Sequence, residues 1–453
     1  MNNSVKNKNT VVSNVATIDA KNPIPFEPSG ESTAFHLTRR VKRYLPFLEP
    51  KDNFFQLLLE AKLLSPTNNS CVNSKTNFCI GKGSFIKDGS ENKEFDKFKK
   101  RVNKKGQNFD KLIKSVFNNH FTVGNNFVEI IRGEVGNKKF MWIVNRPYLD
   151  CRLSTPNDDD ICETVFISKE FRRKTAWTLV EDKAVELPIY CGDLDDLKWY
   201  KSESGTEHCV IHVKNDLPGY EYYGMPDNIA SLPYQVLEYK NVRYNLDIID
   251  NNLVVGGVIF LEGNVTQDEG KKIGQDIVYS HTGDGKRGRW TVVTGGKGIT
   301  NSALQQFDAK TDGSFLDLDE SVESKIVDSN NWDTALYGQQ KTSGIGNGGF
   351  AYLSAVFETK NKTVIEPIQE LIIQDLIQPF FAIYDDWMGT KFSDLELGFK
   401  TVSPASFIGE IDVNSCLTKD EGREILGKPI MEDKAKGSEF ISTAKNKKDV
   451  QAQ

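Results

Sequence analysis

Histidine, cysteine and clustered aspartate are the residues of this chain best suited to metal binding or catalysis, and their spacing restricts what they can do. His208 and His212 flank Cys209 in the run His-Cys-Val-Ile-His. On a strand they share a face but stand two pleats apart, about 13 Å, too far for one metal ion. The seven cysteines, Cys71, Cys79, Cys151, Cys162, Cys191, Cys209 and Cys416, contain no CxxC pair. Zinc is not expected, and an odd, scattered set in a chain of this size reads as free thiols of a reducing cytoplasm. Five scattered histidines give no Ser/His/Asp order and no nucleophile elbow.

A phosphate-binding loop needs GxxxxGK[ST], so that backbone N–H groups cradle the phosphates and a hydroxyl holds magnesium. The nearest segment is Thr291 to Gly298. Thr291 stands at the first glycine and Gly298 at the hydroxyl position, so both functions fail and nucleotide hydrolysis is not expected. Two acidic clusters remain: Asp158, Asp159 and Asp160, and Asp193, Asp195 and Asp196. Hard cations favour several oxygens, but neither cluster has the spaced ligands and distal Glu of an EF-hand. Solvated turns between strands are the simpler reading. The basic run Lys97, Lys99, Lys100, Arg101, Lys104 and Lys105, interleaved with Phe95 and Phe98, could touch DNA phosphates. Glu94 and Asp96 dilute it, and a solvated helix face is the simpler reading. The chain therefore presents no catalytic constellation, no metal site and no cofactor site.

The elements that would carry these residues follow from periodicity. The chain has 453 residues, enough for about three domains or one elongated subunit with several lobes. Its 57 basic and 63 acidic residues leave a net charge of -6, which argues against a protein that wraps nucleic acid by counterion release. No run reaches the roughly 18 apolar residues of a membrane span. Met1 to Pro23 is polar, without the apolar stretch of a secretory signal. Residues 1–30 read as a flexible arm. Helices are expected over Phe54–Leu64 and Phe109–Phe121. Strands are expected over Phe127–Arg132 and Phe140–Val144, joined by the turn Gly136-Asn137, with short β segments continuing to about Val213.

A long helix should reach Asp250, with Pro233 in its first turn or at a kink. Val254–Phe260 and Trp290–Val293 read as strands, and Asp268–Tyr279 and Phe315–Asn330 as helices. Gly338–Gly349 reads as a flexible loop. Thr363–Tyr384 is the strongest helical signal, with Pro367 in its first turn and Pro379 ending or kinking it. Beyond about residue 430 the chain turns polar and lysine-rich.

The order of several segments is more telling than any one of them. Gly124-Asn125-Asn126-Phe127-Val128-Glu129 resembles the GNaY-x-E segment of tailed-bacteriophage portal proteins. Val210–Val213 followed by Tyr223-Gly224-Met225-Pro226 resembles that family's strand and YG-x-P entry to a helix. Asn251-Asn252-Leu253-Val254-Val255-Gly256-Gly257-Val258-Ile259 resembles its NG-x-x-pGvl return. Phe315–Gly338 resembles a later stretch, although Trp332-Asp333-Thr334 replaces Val-Pro-Pro. Leu417–Pro429 resembles the LT-x-NE-x-R-x-x-LGL-P signature, with Asp420 for Asn and Lys428 for Leu. Together these segments cover about residues 107–429.

The resemblance implies an α+β, elongated subunit assembled as a ring of twelve copies at one capsid vertex. The ring would pass double-stranded DNA driven by a separate terminase and would later hold the neck or tail. It implies a wing from residues 31–106 and 251–307, stem helices at 107–121 and 225–250, and a β-rich clip at 122–220. A tunnel helix and loop would occupy 308–349, a crown side 350–430 and a flexible tail 431–453. Lys310, Asp312, Lys325, Gln339, Gln340 and Lys341 are then expected to line the DNA channel, and the two aspartate clusters to dock partners. Those partners would be the major capsid protein, the terminase large subunit and a head-tail adaptor or neck protein, with no membrane. The subunit would assemble in the host cytoplasm and reside in the virion. Another virion structural protein, such as a head-tail adaptor, and a metal-dependent nuclease using the aspartates are the alternative readings.

Overall fold

The structure is a computed structural model. It describes residues 43–47, 52–172, 184–250, 257–261, 291–294, 303–306, 314–337 and 347–403, with Lys272 and Thr418 besides. Residues 1–30, 338–346 and 431–453, most of the expected helix 268–279, and the signature 417–429 apart from Thr418 lie outside the described residues.

The chain folds as helices packed on mainly antiparallel sheets. The helices α1 (Phe54–Leu64) and α2 (Pro66–Ile80) meet at Ser65, whose hydroxyl caps α2 through the Asn68 N–H. After β1 (Ser84–Ile86) come α3 (Lys93–Lys100) and α4 (Phe109–Val123). The Asn108 side chain caps α4 through the Lys111 N–H, and Gly124 ends it in a left-handed conformation at φ 67°.

Strands β2 (Asn125–Val135) and β3 (Lys138–Arg146) form the expected hairpin, with Val135 opposite Lys138 across Gly136-Asn137. β4 (Cys151–Leu153), β5 (Thr164–Ile167) and β6 (Val185–Pro188) form a three-stranded antiparallel sheet. β7 (Tyr200–Lys201) and β8 (Glu207–Lys214) complete a four-stranded sheet in the order β3-β2-β8-β7.

Next come α5 (Leu232–Asp250) and a separate sheet in which β9 (Gly257–Leu261) is central. β9 pairs in parallel with β10 (Thr291–Thr294) and antiparallel with β11 (Ala303–Gln306). Among the described elements these three strands pack chiefly on one another. α6 (Ser314–Ser329) follows, then one long helical rod made of α7 (Asn347–Lys360), α8 (Glu366–Ile372) and α9 (Gln378–Met388). β12 (Leu397–Phe399) returns to pair with β1.

The rod departs from the sequence expectation at both ends. It begins at Asn347, so the last residues of the expected loop Gly338–Gly349 are helical, and it runs through both prolines. π-helical turns at Asn361–Ile365 and Ile373–Ile377 precede Pro367 and Pro379. A proline removes one N–H and crowds the carbonyl four residues back; a wider π turn accommodates both without ending the helix.

Alternation along β2 sends side chains to two cores. Val128 and Ile130 face the larger one, built on α4 and the rod, whereas Phe127 faces a second one with Phe47, Phe55, Tyr148 and Tyr223. α4 is buried along its length: Phe109, Leu112, Ile113, Val116 and Phe117 are each inaccessible to solvent. At roughly 1.5–3 kcal/mol per buried large apolar side chain, that helix is a main source of stability. α5 differs, since Val242, Arg243, Asn245 and Leu246 are all exposed although they point in different directions around the helix.

Candidate functional site

Two of the segments that carried the resemblance are locked together. The Asn125 side chain donates to the Gly224 carbonyl at 2.7 Å and accepts from the Gly224 N–H at 2.9 Å. The Asn215 N–H donates to the Gly124 carbonyl, and the Met225 N–H to the Asn215 carbonyl. The backbones approach so closely that a Cβ on Gly124 would lie 2.4 Å from the Met225 carbonyl carbon, and one on Gly224 would lie 2.3 Å from the Gly124 carbonyl oxygen. Only glycine fits either position. A third segment, Val210–Val213, pairs with β2 in the same sheet, placing Val213 opposite Asn126. Tyr223 completes the knot, donating its hydroxyl to the Leu45 carbonyl and accepting from the Leu153 N–H.

The two histidines of the His-Cys-Val-Ile-His run are held by different partners. His208 Nδ1 is 2.8 Å from Glu129 Oε1, and Nε2 meets the Thr206 hydroxyl. Burial raises the Glu129 carboxyl, but hydrogen bonds from His208 and Arg146 outweigh it and hold the group below the usual carboxylate range. His212 stacks on Phe127 at 4.6 Å and contacts the Asn125 side chain. Burial pushes its pKa down to about 3.

A polar seam fixes α5 and α6 against α2. Asn68 on α2 donates to Gln235 on α5 at 2.9 Å, while its oxygen accepts from Asn228 and Asn330 at 2.7 and 3.0 Å. All four amides are buried. Asn330 closes α6, and its carbonyl accepts from Lys75 Nζ at 3.1 Å. Further along, Asn241 of α5 donates to Asp319 of α6 at 2.9 Å. The two helices therefore run antiparallel, with 228 beside 330 and 241 beside 319. Lys75 also lies 4.7 Å from the Phe121 ring, and burial lowers its pKa to about 8. His120 nearby is buried, with neither ring nitrogen hydrogen-bonded; burial lowers its pKa to about 4.

Of the expected channel residues, only Lys325 is described. It is exposed on α6, about 60° around the helix from the buried Val322 and about 100° from the buried Ile326. Lys310, Asp312, Gln339, Gln340 and Lys341 lie outside the described residues. Asp158, Asp159 and Asp160 occupy an exposed turn between β4 and β5, built on the Asn157 side chain, which accepts from the Asp159 and Ile161 N–H groups. Asp193, Asp195 and Asp196 are exposed in a loop where Asp193 accepts from the Asp195 N–H. Among the described residues no group of three or more acidic, histidine or cysteine side chains is arranged to hold a metal ion.

The seam was not foreseen from sequence. α2 is rich in Asn, Ser and Thr and shows almost no apolar periodicity, because much of what it buries is polar: Asn68, Lys75 and Thr76. The signal that could have found it is punctuation. Ser65-Pro66 opens a helix and Gly81 closes one.

No protein-family model matches the chain, and no curated protein matches it. Solved structures do. A chain from the virion of the native gene transfer agent (GTA) particle superposes with a TM-score of 0.51 at 13% identity, covering 88% of this chain and 99% of that one. A chain from the neck of the native GTA particle with C12 symmetry gives a TM-score of 0.51, 13% identity, and coverage of 88% and 99%. An HK97-family phage portal protein from Corynebacterium diphtheriae aligns at 11% identity and a TM-score of 0.42, over 77% of this chain and 93% of that one. The fold is thus one that occurs in the virion and neck of the GTA particle.

Proposed function

We propose that this chain is the portal subunit of a tailed-phage-like particle, a ring component through which double-stranded DNA is packaged and ejected. The observation that carries the proposal is the overlap with a chain of the C12-symmetric GTA neck, which is matched over 99% of its length. The interlocked Gly124 and Gly224 segments support it, because two stretches that resemble portal motifs independently are also in contact. The role is structural. DNA would move under an external motor, and a net charge of -6 suits a channel that guides phosphates without gripping them.

The packing supports a change to the expected domain map. α4, expected as a stem helix, is buried in the core, and β2, β3 and β8, expected in the clip, are packed with it. The features of a stem belong to α5, exposed at Val242, Arg243, Asn245 and Leu246, and it leads to the β9–β11 sheet. We therefore read 251–307 as the projecting clip and 122–220 as part of the wing. Lys325, with Lys310, Asp312, Gln339, Gln340 and Lys341, remains the proposed channel lining. The acidic turns 158–160 and 193–196 would steer basic partners among the terminase, capsid and neck proteins.

Mass photometry of the purified full chain tests the proposal. A species near twelve times 51.0 kDa is expected. Monomer or dimer at every concentration, with or without capsid scaffold, would reject it.

A further inference from the structure

Two charged surfaces of opposite sign lie on different sides of the core. Residues 82–114 carry eleven basic and five acidic side chains, whereas residues 314–336 carry six acidic and one basic. On α3, Lys93, Lys97 and Lys100 fall within about 60° of one another around the helix, opposite the buried Phe95 and Phe98. All three are exposed, and none makes an ion pair among the described residues. Lys99, by contrast, is held by Asp110 and the Ser84 carbonyl. On α6, Glu320 and Asp328 are exposed on one face, opposite the side that buries Val322 and Ile326.

The spacing of the two stripes matches. Lys93 to Lys100 spans about 10.5 Å of helix and Glu320 to Asp328 about 12 Å. The chain cannot pair them with each other. α3 packs on α4, α4 on α2, and α2 on α6, so two helices stand between the stripes. Beside the acidic stripe, α5 leaves Val242 and Leu246 each 47% exposed. That apolar surface fits a buried contact better than open solvent. Lys325 is turned about 140° from Glu320 around α6, so it can face a channel while Glu320 faces a neighbour.

We propose that the basic α3 face of one copy docks on the acidic α6 face of the next, beside the exposed end of α5, so that the ring closes head to tail. The partner is a second copy of this chain. The proposal rests on the ring reading and specifies its contact. A cyclic assembly needs two different complementary patches on each subunit, and these two supply them. A duplex DNA could also take the basic face. The copy is favoured because the complementary stripe occurs on the same molecule at matching spacing.

The test uses the full chain and three variants of exposed residues, read by mass photometry, with circular dichroism melts to confirm folding. Lys97→Glu/Lys100→Glu and Glu320→Lys/Asp328→Lys should each raise the concentration for half-assembly by at least about tenfold, since like charges then face each other. The variant carrying all four changes should assemble as the wild type does. An equimolar mixture of the two double variants should also assemble, because each then offers the face that the other lacks. Raising salt from about 0.05 to 0.5 M should weaken the wild-type ring.

Double variants that assemble normally would overturn the proposal. So would double variants that stay folded and monomeric both when mixed and when combined in one chain. A Lys97→Glu/Lys100→Glu ring that forms normally but no longer retains duplex DNA would reassign the face to DNA. A wild-type chain that never exceeds a monomer would remove the ring reading itself, a result distinct from the others.

Discussion

Two buried regions hold this fold, and they do so by different physics. One is the aromatic cluster where α3, α4 and α9 meet: Phe95, Phe98, Phe109, Phe380, Phe381, Tyr384 and Phe392. Its ring centroids lie 5.1–6.4 Å apart, in stacked, tilted and edge-on pairs. The other is the polar seam of Asn68, Asn228, Gln235 and Asn330, with Lys75 and His120 beside it. Apolar burial is strong but non-directional, and aromatic rings can repack. A buried amide network is nearly neutral in net energy but tolerates only one arrangement, because each unmade bond leaves a polar group stranded. The aromatic cluster therefore stabilises the packing of α3, α4 and α9, while the seam sets the direction in which α5 and α6 run. α5 and α6 are the elements proposed to project, to meet the neighbour and to face the channel.

The predictions probe that contrast in order of expected effect. Phe381→Ala should cost about 3–5 kcal/mol in chemical denaturation, through lost burial and the cavity left behind. It should leave the pH dependence of stability unchanged. A loss under about 1 kcal/mol would mean the cluster is not a principal core.

Acid should act on the other kind of burial. His120 is held neutral down to about pH 4, whereas the unfolded chain protonates it near 6.5. The unfolded state thus binds more protons between those values. Stability should be full above about pH 6.5 and fall as the pH drops towards 4, on the order of 3 kcal/mol for His120 alone. His212 acts in the same direction, with its folded pKa at about 3. Denaturation midpoints measured from pH 7 to 4 give the slope. His120→Leu should flatten it, and an unchanged slope would place its origin elsewhere.

Asn330→Ala should cost about 1–3 kcal/mol by leaving Asn68 and Asn228 short of partners. It should also broaden the angle between α5 and α2, read as faster amide exchange at the start of α5. The smallest effect belongs to the surface: Asp158→Asn/Asp160→Asn should change stability by no more than about 0.5 kcal/mol. That change should still slow binding of a basic partner to the ring, measured by surface plasmon resonance.

Where the sequence spoke clearly, it did so through apolar rhythm or turn chemistry. The hairpin around Gly136-Asn137 and the helix α4 could be read because their buried faces are apolar and their ends carry standard punctuation. α2 could not, since Asn68, Lys75 and Thr76 interrupt the apolar residues of its buried face. The rod was read too short because its first turns, Asn347 to Lys360, have weak apolar bias and because π turns absorb its prolines. The pairing of β1 with β12 joins strands of three residues across more than 300 positions, beyond the reach of local pattern. At the candidate site the aspartate clusters were legible as turns, and the histidine run as structural, although Glu129 and Asn125 as its partners were not. The expected clip is a related case. β content marked out 122–220, but only packing shows that those strands belong to the main core.

Electron microscopy of the purified full-length chain tests the central claim most directly. The account predicts closed rings with a central channel and twelvefold symmetry, in which the α5 and β9–β11 part projects from one face. Particles that remain monomeric or dimeric, or that grow into open filaments without a channel, would contradict it.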